Sequence, residues 1–490
     1  MYIHVLILGL IQQFGFARGN ALESIKTSIS GSPICSQIEG SISSASGVYY
    51  FGHPLYFKAI SHWASSSAES SDCSVEPGNV EDLGTILKIV GSTRTPFAVK
   101  GNGRTTNPGF SSTSGVTIAM YRFSEITYDA SSQTVRLGAG LNWDAVYEAL
   151  APYKVNVVGG VSTGSGVAGV AVNGGYSWLT NQHGLTADTA VEFELVKPDG
   201  TVVNVTESSD ADLFWALKGG LNNFGVVTRL TLKTFPQGQV WGGQITYTSR
   251  HLDAVTAAVA KFTSTVTDPK ANILTAYNVL LGQVVVSQLL FYDAPNPPPG
   301  MFDDFLTVPS LTTDVKTRDF LNMFYVPLDN ATYGNRAVDN VVPLLRMSPS
   351  VLDTIVNETK FWGEKLALKS QVIVSYAVQT FRLPTASSSG SSWPPTRSPG
   401  YLPFHLYYGW ALKTFDDDYH NAMRQTSRRI TEAALADGQA GVDTAALYPG
   451  YAIFDTPAEQ IWGESLGRLK EVKKRVDPQN VMGLTGGFKV

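Results

Sequence analysis

Residues 97–120 read FAVKGNGRTTNPGFSSTSGVTIAM, and residues 155–178 read VNVVGGVSTGSGVAGVAVNGGYSW. Each starts as a short apolar, β-prone run and passes into a glycine-dense loop, Lys100–Gly109 and Gly159–Gly175, the two lying about 60 residues apart. Glycine lacks Cβ, so backbone N–H groups can come close to a ligand, and successive N–H groups form a concave nest for an anion. Two such loops in one region point to a phosphate-bearing cofactor lying between them. The spacing alone equally allows glycines that only make turns.

Two familiar patterns overlap in the second loop. Gly160-Val161-Ser162-Thr163-Gly164 fits the G-x-S-x-G elbow of a hydrolase, which needs a helix directly after the serine. Gly164-Ser165-Gly166-Val167-Ala168-Gly169 fits the dinucleotide pattern G-x-G-x-x-G, which also needs a helix opening at the motif. The run of Gly164, Gly166, Gly169, Asn173, Gly174 and Gly175 predicts that no helix follows, so both patterns are set aside. There is no CxxC and no HExxH, and a metal site is not expected.

Around the loops the text alternates short strands with helices. Asn79 caps a helix over Val80–Val90 and Asn142 one over Trp143–Leu150. Strands are predicted at Pro96–Lys100, Val116–Met120, Thr134–Leu137, Val155–Val158 and Val226–Lys233, with Leu213–Lys218 a short helix. Val191–Val196 and Thr201–Val205 form a hairpin across Pro198-Asp199-Gly200. After Pro236 the pattern changes. Val240–Thr248, Leu274–Leu281, Val284–Tyr292 and Phe404–Lys413 read as strands, and Leu252–Phe262 and Asp417–Ala436 as helices. Ala294–Gly300 and Leu383–Tyr401 are Pro-rich loops. Thr456–Val476 reads as helix.

The whole chain has 490 residues, 43% of them hydrophobic and only 16% charged, with a net charge of −5. An average soluble protein carries roughly 25% charged residues. Aromatic content of 11% with so few charges argues against disorder, and the lack of a basic excess argues against nucleic-acid binding. Val5–Leu10 is too short to span a bilayer, which takes about 20 residues. With Gly19 and Ala21 at cleavage offsets it predicts a signal peptide over residues 1–21, hence a secreted or secretory-lumen protein. The sequons at Asn204, Asn330 and Asn357 agree as glycosylation acceptors. Cys35 and Cys73 either pair as a disulfide in that compartment or stay as two buried thiols.

The first loop, GVAGVAVNGGYSWLTNQHGLTADTAVEFELVKPDG (166–200), DLFWALKGGLNNFGVVTRLTLKTF (212–235) and the closing YPGYAIFDTPAEQIWGESLGRLKEVKKRVDPQNVMGLTGGFKV (448–490) together resemble the FAD-linked oxidases of the berberine bridge enzyme type, in the vanillyl-alcohol-oxidase superfamily. The resemblance implies an α+β, two-lobed fold: an FAD-binding domain plus a substrate domain with a sheet covered by helices. Its implied boundaries are 22–67 for an N-terminal segment, 68–237 for the FAD domain, 238–445 for the substrate domain and 446–490 for a segment that returns to the FAD domain. It implies FAD as cofactor, held by Lys100, Gly101, Asn102, Gly103, Arg104, Gly166, Gly169, Gly175, Gly225 and Val227. Family members pass hydride from substrate to flavin, and oxygen reoxidises it.

The sequence also departs from the family. Arg104 stands where a histidine usually bonds covalently to the flavin, and Gly159–Gly175 holds no cysteine for a second bond. Ala168, Asn173, Leu221 and Gly450 replace other family residues at positions expected to line the flavin, where added side chains would push it away. The expectation is therefore non-covalent FAD in an oxidase acting on a small, apolar secondary metabolite. The alternative is a flavin-independent cyclase or binding protein on the same scaffold. Arg104 is expected to pair with a pyrophosphate or an anionic flavin. Tyr451, Tyr448 and His405 are the candidate catalytic residues. His405 and Tyr407 share one strand face while Trp410 points to the other. Asp188 and His183 read as structural.

Overall fold

In the computed structural model, residues 32–280, 282–326, 332–384 and 390–490 are described; the expected signal peptide and Asn330 lie outside them. Among the described residues no helix is long and apolar enough to cross a membrane.

Strands β1 (Gly47–Tyr49), β2 (Cys73–Glu76), β3 (Phe97–Lys100) and β4 (Val116–Ala119) form a sheet in the order β1-β2-β4-β3. The next strands are β5 (Ile126–Asp129), β6 (Thr134–Gly138), β7 (Val155–Asn156), β8 (Ala190–Val196), β9 (Val202–Val205), β10 (Val226–Lys233) and β11 (Phe235–Pro236). Five of them make a second sheet, β5-β6-β10-β8-β9, while β7 pairs only with β11. Asn79 and Asn142 cap helices Val80–Thr93 and Trp143–Leu150 by accepting from the N–H of Asp82 and Ala145. The two glycine loops leave this first lobe at β3 and after β7.

The second lobe holds β12 (Gln239–Thr248), β13 (Ala271–Leu280), β14 (Gln283–Tyr292), β15 (Thr312–Asp319), β16 (Arg336–Leu344), β17 (Gln371–Gln379) and β18 (Leu402–Trp410). They form one antiparallel sheet in the order β15-β12-β14-β13-β17-β18-β16. Strand alternation divides its two faces. Tyr277, Tyr376, Phe404, Leu406, Tyr408 and Trp410 pack under helices Leu252–Thr265, Pro349–Lys365 and Asp416–Ala436. Leu289, Phe291 and Val341 turn the other way and join the core of the first lobe.

Three readings need correction. A helix does open in the second loop, over Val167–Val172 with Gly166 as its cap residue. Val167 and Ala171, one turn apart, are fully buried, and that packing outweighs a glycine cost of about 1 kcal/mol. Neither rejected motif is restored. Ser162 lies well before the helix, and β7 pairs antiparallel with β11, so among the described residues β7 and this helix form no parallel βαβ frame at the motif. The strand expected at Phe404–Lys413 ends at Trp410, because Ala411 and Leu412 donate to Ser370. The helix expected over Thr456–Val476 breaks at Gly463 (φ +48°) into Ala458–Trp462 and Ser465–Val476. Strands β15, β16 and β17 and helix Pro349–Lys365 had no sequence expectation.

Cys35 and Cys73 are joined in a disulfide that ties helix Pro33–Glu39 to β2. The C-terminal helices lie on the first lobe. Trp462 Nε1 donates to Gly219 O at 3.0 Å, Lys473 Nζ to Asn223 O at 3.1 Å, and Arg475 pairs with Asp210 at 2.8 Å. Asn204 on β9 and Asn357 on helix Pro349–Lys365 are exposed.

Candidate active site

The first loop turns sharply at Gly103, whose φ of +65° suits glycine, and the carbonyl there accepts from Trp63 N at 2.9 Å. Asn102 Nδ2 donates to Leu141 O at 2.9 Å. The second loop is zipped to the same segment, with Trp143 N donating to Ser165 O at 3.0 Å and Val167 N to Leu141 O at 2.9 Å. Residues 141–143 thus hold the two loops side by side, and a Cβ on Gly166 would lie 3.3 Å from Asn102 Nδ2. At Gly109, Gly164 and Gly169, by contrast, an added Cβ would meet nothing within 4 Å. Open glycine edges beside two backbones that run together leave room for backbone N–H groups to approach a ligand.

The other expected cofactor residues are spread more widely. Lys100 runs beneath Gly103, with its Nζ bonded to Lys58 O at 3.0 Å and Tyr121 OH at 2.6 Å. Burial pushes its ammonium pKa down to about 7, so it supports the loop from below. Arg104 lies over the Trp63 ring, its Cζ 3.5 Å from the centroid. Gly175 and Gly225 are close-packing glycines: a Cβ would come within 2.4 Å of Thr186 Oγ1 and of Val196 O respectively. Val227 sits in β10 opposite Leu195 and is nearly buried.

On the cleft-facing side of the seven-stranded sheet, β18 presents His405 and Tyr407, while Trp410 packs beneath, stacked on Tyr419 at 4.4 Å. In the register Asp339 opposes Tyr407 and Val341 opposes His405, which makes Asp339 and His405 diagonal neighbours on one face. His405 Nε2 lies 2.7 Å from Asp339 Oδ1. The imidazole stacks on Tyr451 with ring centroids 4.0 Å apart, and Tyr448 meets Tyr451 edge-on at 5.0 Å. Tyr448 is buried, and burial together with neighbouring Tyr451 and Tyr176 raises its phenol far above the usual range. That shift favours the protonated phenol. Tyr407 donates to Thr332 at 2.9 Å, and its phenol too is raised by burial. Asp188 pairs with Arg397 and accepts from Leu185 N, and His183 stacks on Phe235 at 3.8 Å, so both have structural contacts.

Asp339 is the residue that sequence reading missed. It stands in RAVDNVVPL, which carries no motif, and only the pairing of β16 with β18 brings its carboxylate to His405.

Comparison with known proteins gives this geometry its context. The FAD binding domain family matches residues 71–206, and the family described as berberine and berberine like matches residues 448–485. The FAD-dependent monooxygenase prx3 of Penicillium roqueforti is 31% identical over 460 residues, 88% of each chain. The chain belongs to the berberine-bridge-type, FAD-linked oxidoreductases. An uncharacterized FAD-linked oxidoreductase of Arthroderma benhamiae is 35% identical over 279 residues, a match spanning only 56% of this chain and 56% of that protein. The carbohydrate oxidase of Microdochium nivale shares the fold, with a TM-score of 0.76 at 16% identity over 92% of this chain and 98% of that one.

Within this family of FAD-dependent oxidoreductases, the departures at Ala168 and Leu221 fall at positions that touch the protein core. Ala168 packs against the core that includes Ala139 and Val226, and the Leu221 side chain is buried in the main core of the first lobe. Both side chains have core neighbours. Asn173 ends helix Val167–Val172 and is half-buried. The residues present fit FAD. Gly101–Arg104 and Gly164–Gly169 would hold it through their backbones, and neither Arg104 nor Ser162–Val172 offers the histidine or cysteine needed for a covalent bond.

Proposed function

We propose that this protein is an FAD-linked oxidase of secondary metabolism, with FAD bound non-covalently, oxygen as the reoxidant and a small apolar molecule as substrate. The observation that carries the reading is the Asp339–His405–Tyr451 array set beside the glycine cradle. When bound, FAD supplies a two-electron acceptor for substrate hydride. His405 is the proton acceptor. Asp339 Oδ1 accepts the N–H at Nε2, which leaves the lone pair on Nδ1 to receive a proton. Tyr451 covers one face of the imidazole and keeps the ring from turning. The disulfide supports a secretory compartment, and exposure of Asn204 and Asn357 is compatible with glycosylation there.

The test is the visible spectrum of the purified full chain before and after denaturation, combined with His405→Gln. Flavin released into the supernatant, and a fall in kcat of about 10²–10⁴ for His405→Gln with KM little changed, is the expected outcome. Absence of flavin with no uptake of added FAD overturns the oxidase. Full turnover in His405→Gln overturns the assignment of the base.

A further inference from the structure

One contact joins the cofactor loop to the base. Thr106, on the first glycine loop and almost fully buried, places its hydroxyl against Asp339 twice: Oγ1 donates to Asp339 Oδ2 at 2.9 Å and accepts from Asp339 N at 3.3 Å. The other carboxylate oxygen faces His405 Nε2 at 2.7 Å. A hydroxyl bonded to both the backbone and the side chain of one aspartate fixes its rotamer and commits one oxygen, so only Oδ1 remains for the imidazole. The next residue repeats the link, with Asn107 Nδ2 donating to Ala452 O at 2.8 Å beside Tyr451.

We infer that Thr106 is a positioning residue, which holds the Asp339 carboxylate so that His405 keeps its proton on Nε2 and its lone pair on Nδ1. The inference rests on the reading of His405 as the base, and it ties the orientation of that base to the loop expected to carry the cofactor. The other polar or charged groups around the pair are Tyr451, stacked on the imidazole; Tyr407, the cross-strand partner of Asp339; and Arg104, whose charge is felt at Tyr407. Thr106 Oγ1 is bonded to both Oδ2 and the backbone N–H of Asp339, and that double contact is what sets the second oxygen.

Two substitutions separate the hydroxyl from the shape. Thr106→Val keeps the branched side chain and removes the hydrogen bonds, while Thr106→Ser keeps the hydroxyl. The readout is the ¹⁵N-imidazole spectrum of the full chain, without and with added FAD, since the two ring nitrogens report separately which one is protonated. The expected result is a single Nε2–H tautomer in the parent and in Thr106→Ser, a mixture of tautomers in Thr106→Val, and a roughly tenfold lower kcat at unchanged KM for Thr106→Val alone. Thr106→Ala serves as a second hydroxyl-free variant should Thr106→Val fold poorly. Identical spectra for the parent and a folded hydroxyl-free variant would overturn the inference, as would a mixture in Thr106→Ser. The spectrum of the FAD-free chain is independent of turnover. A failed His405→Gln test therefore removes the base assignment without deciding the tautomer lock, and the converse holds as well.

Discussion

Leu221 sits at φ +59° and is 8% exposed. A left-handed conformation costs a side-chain-bearing residue about 1–2 kcal/mol, whereas truncating a buried leucine costs about 2–5 kcal/mol. Burial outweighs strain, so the family's glycine is not the better residue in this core. Leu221→Gly is expected to lower stability by about 1–3 kcal/mol, read as a lower urea midpoint at unchanged m. A gain in stability would show that the strain dominates. At this scale the sequence was informative about which loops matter and poor about where individual side chains point. Arg104 lies on Trp63, and Ala168 and Leu221 pack against the core of the first lobe, contacts that no spacing in the text announces. Glycine spacing reveals where a backbone can approach a ligand. It does not reveal which neighbour captures the adjacent side chain.

At the scale of elements, caps and β-branched runs were legible because their signals are local. Asn79, Asn142 and the hairpin at Pro198-Asp199-Gly200 each act within a few residues. Strand β16 was not legible, because RAVDNVVPL becomes a strand by pairing with β18, some 65 residues later. Helix Val167–Val172 was misread for the same reason: the burial that stabilises it comes from elsewhere in the lobe. The disulfide is the clearest case of an element held from a distance. Helix Pro33–Glu39 has only seven residues, too short to persist alone, and the bridge closes a separation of 38 residues to reach β2. Chain-entropy arguments give such a loop about 3–4 kcal/mol. Reductant, or Cys73→Ser, is expected to lower the melting temperature, and equal melting curves with and without reductant would refute the contribution.

On the scale of the whole molecule, the two lobes are clasped around the site. The loop after β17 returns to the first lobe at Ser392, whose hydroxyl donates to Lys218 O at 3.1 Å. Trp393 follows, donating to Leu447 O at 3.0 Å and packing on Tyr448 at 5.0 Å. Arg397 completes the clasp on Asp188, the two side chains being 13% and 3% exposed at 2.6 Å. Removing one partner of so buried a pair leaves the other charge uncompensated and costs about 3–5 kcal/mol. Asp188→Leu alone is therefore expected to destabilise more than the double variant Asp188→Leu/Arg397→Met. Simple additivity in the double-mutant cycle would show that the pair does not act as a unit.

The sequence by itself determined the class of machine. Two glycine loops, the run from Asp212 to Phe235 and the C-terminal segment place this chain among FAD-linked oxidoreductases, because a cofactor cradle is built from backbone and its glycines must stand at set places in the text. The tertiary structure alone decided which side chains meet beside those loops. His405 was visible as a candidate, yet its partner Asp339 and the loop residue Thr106 come from segments far apart in the chain, and they meet only through sheet register and the packing of one lobe on the other. A proton acceptor depends on what bonds to its far nitrogen, and that is fixed by contacts between distant residues, which no local pattern in the text records.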